Sequence, residues 1–131
     1  MRFGFFGLAL VCVVSFGSPA SAHHSHGNYA MDDFTVMEGT VTEVLRINPH
    51  SWVYLEVKEG DSAEPTVWLL EATGPAGLER NGIKREDVMP GDAVSVRCHK
   101  LRDGSPGCLL GFMTPMHGDT ARGHGVEIEW D

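Results

Sequence analysis

The sequence predicts a mainly β fold, a small five-stranded Greek-key barrel with one short helix between strands three and four. Three observations lead there. Apolar residues alternate with period two or cluster in five separate stretches, a short helical segment bounded by Gly and Pro follows the third, and turn signals separate the rest.

Residues 1–22 read as a secretory signal peptide. Arg2 precedes an apolar stretch over residues 3–16, and small residues end at Ala20-Ser21-Ala22. The stretch is shorter than the ~20 residues that cross a bilayer, and the polar segment after it carries no stop-transfer continuation. A retained anchor is therefore the weaker reading, and Val11 ahead of Cys12 argues against a lipoprotein. The expected compartment is the periplasm or the medium. The mature chain, residues 23–131, is long enough for one domain with a modest core.

Residues 23–33 lack periodicity and read as a flexible, His-rich N-terminal arm. The barrel domain is expected over 34–131, with a Gly- and His-rich C-terminal tail. In the first strand Met37, Gly39, Val41, Leu45 and Ile47 share one parity, until Asn48-Pro49 turns the chain. A second strand over 51–58 sets Val53, Leu55 and Val57 against Trp52, Tyr54 and Glu56. Residues 66–72 form a third, and 74–82 a short helix stopped by Gly82. Met89-Pro90-Gly91-Asp92 is a tight turn before a fourth strand over 93–100, with Val94 and Val96 inward. Asp103-Gly104 turns the chain into a fifth strand over 109–113, and 126–130 offers a last, short one. Three strands, a helix and two strands is the order of the OB-fold.

Several of these residues together resemble a family of small exported bacterial proteins known as domain-of-unknown-function family 6152. They are Gly39-Thr40-Val41, Asn48-Pro49-His50 with Trp52 and Tyr54, Trp68 with Glu71, Pro75 with Leu78, Pro90-Gly91-Asp92 with Val94 and Val96, and Asp103-Gly104. The resemblance spans residues 34–113, and the Asn-Pro-His-x-Trp run is its most specific part. It implies export and a β-barrel-like domain, and no activity. Members tend to begin the mature chain with His-His-Ser and an aromatic residue. Here His23-His24-Ser25 is followed by His26-Gly27, and the aromatic arrives as Tyr29. The cysteine pair and the His-rich tail lie outside the family pattern.

Charge narrows the function. Eighteen acidic against ten basic residues give a formal charge of −8, one unit more negative once Arg2 leaves with the signal. Such a surface repels phosphate backbones and anionic headgroups, so neither nucleic acid nor membrane is an expected partner after cleavage. Cys12 leaves too, and Cys98 and Cys108 remain as an even pair flanking a turn. In an oxidising compartment the pair suggests a disulfide, the alternative being two thiols on neighbouring strands.

The strongest chemical feature is the mature N-terminus. Cleavage after Ala22 would put a free amine and an imidazole on His23, and a third nitrogen from His24, His26 or His50 would complete a set suited to Cu(II). Cleavage two residues earlier would leave Ser21-Ala22-His23, also suited to Cu(II) or Ni(II). The competing reading is a solvated tag whose histidines bind metals weakly by composition. His50, beside Pro49 at a strand entry, reads first as a turn histidine capping its own backbone and only second as a ligand. Met113, Met116 and His117 form a softer set suited to Cu(I), against the commoner use of methionine in packing. His124 is a further candidate without a partner in the sequence.

Glu71 reads as a partly buried acid, a hydrogen-bonding anchor, a carboxylate that orients a ligating histidine, or an outward-facing solvated carboxylate. Trp52, Tyr54 and Trp68 would line a shallow apolar groove on the barrel face, or else belong to the core. There is no nucleophile elbow, phosphate loop, His-Glu-x-x-His helix or tetrahedral cysteine set. The expectation is therefore a non-enzymatic binding module, with copper or another divalent metal as the candidate cofactor. A structural or protein-interaction domain using the aromatic face is the alternative, and an oxidase-type copper site at His23 the third.

Overall fold

A computed structural model describes residues 26–61 and 63–131. The expected signal peptide over residues 1–22, with Cys12, and His23 and His24 lie outside the described residues. The elements are β1 (Thr35–Leu45), β2 (Ser51–Val57), β3 (Thr66–Ala72), α1 (Pro75–Arg80), β4 (Ala93–Lys100), β5 (Gly107–Pro115) and β6 (Ile128–Glu129). β1 pairs antiparallel with both β2 and β4, β2 with β3, and β4 with β5. A parallel pairing of β3 with β5 closes the circuit. The result is the expected five-stranded barrel with one short helix between strands three and four.

Alternation makes this core. Val53, Leu55 and Val57 point inward from β2, meeting Leu70 and Ala72 of β3 and Val94, Val96 and Cys98 of β4. Pro75 opens α1 at a position where its missing N–H costs nothing, and Leu78, fully buried, plugs the barrel from that helix. Cys98 and Cys108 form a disulfide between β4 and β5, both buried in the core.

The structure corrects two readings and divides a third. A bulge between Val41 and Glu43 reverses the parity of β1, so Val44 rather than Leu45 turns toward the core and Ile47 is exposed. The aromatic groove divides. Trp68 lies opposite inward-facing Leu55 and packs against the core, whereas Trp52 and Tyr54 occupy the outward parity of β2. Residues 26–33, read as an unpacked arm, are docked: Tyr29 bridges Leu101, the Ala30 N–H donates to the Lys100 carbonyl at 2.9 Å, and the Arg102 N–H donates to the Asn28 carbonyl at 2.9 Å. His99 holds the same segment, its Nδ1–H facing the carbonyls of Ala30 at 3.1 Å and Asp33 at 2.9 Å.

The C-terminal tail is also built in. Trp130 is 1% exposed, and its backbone joins Gly111 on β5 and Thr73 after β3. Arg122 reaches back to the Asp92 carboxylate and donates through Nε to the Glu86 carbonyl at 2.7 Å. Burial alone would raise the Asp92 carboxyl, but hydrogen bonds from Arg122 and the Met89 N–H outweigh it and hold the carboxyl below its ordinary value.

Candidate functional site

The seam where β3 meets β5 is the shortest in the barrel, and the site forms there. Only Leu69, Leu70 and Glu71 find partners across it, opposite Gly107, Cys108 and Leu109. Glu71 follows the outward parity of β3 and stands opposite Trp52 on β2. The Asn48-Pro49 turn, whose peptide bond is cis, delivers His50 beside it. Gly74 permits this approach, because a Cβ there would collide with the Pro49 carbonyl oxygen.

Two groups converge on Glu71. The Tyr29 hydroxyl donates to Oε2, and His50 Nδ1 contacts Oε1. The side chains of His50 and Glu71 are only 21% and 17% exposed, so the contact is shielded without being sealed. Burial first, and then the hydrogen bond to Glu71, push the Tyr29 hydroxyl above its ordinary value, so it stays protonated and can only donate here. Of the sequence alternatives for Glu71, the partly buried carboxylate beside a histidine is the arrangement found.

Next to this trio lies a pocket of about 250 Å³ whose walls include His26, His50, Glu71, Thr73, Leu109 and Asp131. Two of the four imidazoles predicted as metal ligands, His26 and His50, therefore share one cavity with Glu71. Among the described residues, no three His, Cys, Asp or Glu side chains already form a metal-holding group. A second hollow, of about 290 Å³, is lined by Tyr29, Trp52, Leu69, Leu101 and Pro106. Trp52 thus belongs to a small apolar hollow. Tyr54 and Trp68 line neither cavity, and Trp68 instead carries the Lys100 ammonium at 5.0 Å from its ring.

The soft-ligand set in the tail is not assembled. Met113 is fully buried in the core while Met116 is 46% exposed. His117 Nδ1 accepts the Asp119 N–H at 3.1 Å, and His124 Nδ1 accepts the Gly118 N–H at 2.9 Å, so both imidazoles organise local turns.

Sequence reasoning missed Tyr29 as an anchor and Asp131 as a pocket wall. Nothing in their spacing signals either role. Tyr29 reads as one aromatic in a polar segment, and Asp131 reaches the pocket only because Trp130 is drawn into the core.

No helix among the described residues is long and apolar enough to cross a membrane. No curated protein and no solved structure shows a significant match to the chain. The model of a family of unknown function, DUF6152, matches residues 9–110, a span that includes the Asn48-Pro49-His50 turn, Glu71 and most of the barrel, and the chain belongs to that family.

Proposed function

We propose that this chain is an exported, non-enzymatic binding module that holds copper or another divalent metal at the pocket lined by His26, His50 and Glu71. His23 and His24 supply the remaining nitrogens. The observation that carries the reading is the pairing of His50 Nδ1 with the Glu71 carboxylate. A carboxylate on one ring nitrogen fixes the tautomer and orientation of an imidazole, keeps the proton on Nδ1, and makes Nε2 the basic, metal-binding atom. Tyr29, hydrogen-bonded to the same carboxylate, holds Glu71 in that role.

Chain connectivity supports the rest. His23 is three residues from His26, and three residues of chain reach at most about 11 Å. A tether that short lets the terminal amine and two further imidazoles return to the pocket. Two to four nitrogens with an oxygen nearby suit Cu(II) among the available first-row ions. The leader over residues 1–22 supports an oxidising compartment, in keeping with the disulfide.

The test is calorimetric titration of the mature protein with Cu(II), after mass spectrometry has fixed its first residue. His50→Ala should weaken binding strongly, and Glu71→Gln by about 10- to 100-fold, the usual effect of losing a partner that orients a ligand. Affinity unchanged in both variants would overturn the pocket. A second reading is favoured by the apolar hollow beside Trp52, which suits a small apolar ligand. Quenching of Trp52 fluorescence by such a ligand, with copper affinity unaltered in His50→Ala, would favour it over the metal.

A further inference from the structure

We infer that the hollow beside the end of α1, walled by Arg46, Lys84 and Arg85, is a binding site for a small oxyanion, the carboxylate or phosphoryl group of a low-molecular-weight ligand. It lies apart from the His26–His50 pocket, shares no lining residue with it, and encloses about 450 Å³.

The first support is charge placement. Ten basic residues face eighteen acidic ones in this chain, yet three of the ten gather on one hollow with Glu79 as the lone carboxylate among its described lining residues. Two of the other arginines find acids: Arg97 pairs with Glu127 at 2.9 Å, and Arg122 pairs with Asp92. Among the described residues, neither Arg46, Lys84 nor Arg85 has a carboxylate within ion-pair distance. In an acidic chain, three cations gathered around one concavity that a single carboxylate lines are a charge imbalance that an anionic ligand would correct.

The second support is the way Arg46 is held. Its Nη1 donates to the Ile83 carbonyl at 3.2 Å and its Nη2 to the Lys84 carbonyl at 2.8 Å. A guanidinium has five N–H donors in a fixed plane, so two bonds to the turn leave three others and lock the plane in place. Burial, and then the nearby Arg85 charge, lower the Arg46 pKa, and the opposing influence of Asp87 and Glu86 does not cancel them. The Asp87 carboxylate is itself engaged by the Lys84 N–H at 2.8 Å.

A purely structural clamp accounts for Arg46, whose bonds tie β1 to the turn at 83–84. It does not account for Lys84 and Arg85, both exposed and lining the same hollow. The ligand class follows from size and field. The cavity suits one small molecule, and the acidic remainder of the surface repels a polyanion.

The experiment titrates the mature protein, at low ionic strength, with inorganic phosphate and separately with succinate, followed by amide chemical shifts. Sodium chloride is the control. Saturable shifts at Gly82, Ile83 and Arg85 are expected for at least one probe, and which probe binds tells phosphoryl from carboxylate. The Lys84→Gln/Arg85→Gln variant removes two exposed charges and leaves the Arg46 clamp, so it should fold normally and lose about tenfold or more in affinity. Neither probe binding with a Kd below about 1 mM, chloride producing the same shifts, or affinity unchanged in the double variant would each overturn the inference. None of these outcomes bears on copper binding at His50.

Discussion

Consider reduction of the Cys98–Cys108 disulfide by a phosphine that leaves both sulfurs in place. The bond spans a sequence separation of 10. Loop-closure entropy for that length is about 9 cal/mol/K, so the tether is worth about 2.7 kcal/mol at room temperature. For a domain of roughly 100 residues, whose unfolding entropy is about 0.2 kcal/mol/K, the midpoint should fall by about 13 °C. The structure adds a spatial prediction. Lys100, Leu101 and Arg102 lie inside the bridged loop and are the residues to which the segment at 28–30 is tied. Urea titration of oxidised and reduced protein measures the first effect, and hydrogen exchange of the Ala30 and Arg102 amides measures the second. Both amides should lose protection on reduction before the amides of β1 and β2 do. A stability difference below about 1 kcal/mol, or loosening that begins in β1 and β2, would refute the reasoning. The Cys98→Ala/Cys108→Ala variant should be less stable than the reduced protein, because it also leaves space in the core.

Two further predictions concern polar contacts. Tyr29→Phe removes a hydrogen bond to a carboxylate and should cost about 1.5 kcal/mol in urea titration, the low end for a charged acceptor because Glu71 keeps His50. It should also weaken Cu(II) binding without moving the first residue of the mature chain. The second concerns Asp92, whose carboxyl is held below its ordinary value of about 3.9. A depressed native pKa contributes stability that is complete above the unfolded value and disappears as pH falls through the folded one. Stability attributable to the Arg122–Asp92 pair should therefore be level from neutral pH down to about pH 5 and decline below about pH 4. In Asp92→Asn that part of the acid slope should be missing, as followed by thermal unfolding across the pH series.

The barrel was legible because its strands are short and alternate. Val53, Leu55 and Val57 can point only one way, and the helix falls where Pro75 and Gly82 permit it. What escaped is what alternation does not encode. One extra residue after Val41 reverses every later side chain of β1, and no composition signal marks a bulge. The choice between groove and core for Trp68 has the same origin, since the relative parity of β2 and β3 is set by register, which places Trp68 opposite Leu55. The docked segments escaped for a different reason. Tyr29 and Trp130 sit in stretches that are polar and Gly-rich, and a single anchoring aromatic has no period to detect. Glu71 and His50 were visible individually, whereas their contact depends on the Asn48-Pro49 turn meeting β3 across the sheet.

These anchors explain where the candidate site lies. β2 and β3 are joined by seven register pairs, but β3 and β5 by three, so barrel closure is thinnest beside Glu71. Both outer segments of the described chain cover that seam. Tyr29 crosses to Glu71 from one side, and the Trp130 carbonyl accepts the Thr73 N–H at 2.9 Å from the other. Closure of the barrel and assembly of the pocket therefore draw on the same groups, since those that brace the seam also form or position the pocket walls. A ligand that binds only the closed form then stabilises the whole domain, by about 2.7 kcal/mol at a concentration 100 times its Kd. A metal bound solely by a detached N-terminal tag would leave unfolding of the barrel unchanged. Because the two arrangements differ in this coupling, the midpoint shift caused by Cu(II) in wild type against Glu71→Gln distinguishes a site built on the seam from one that merely hangs beside it.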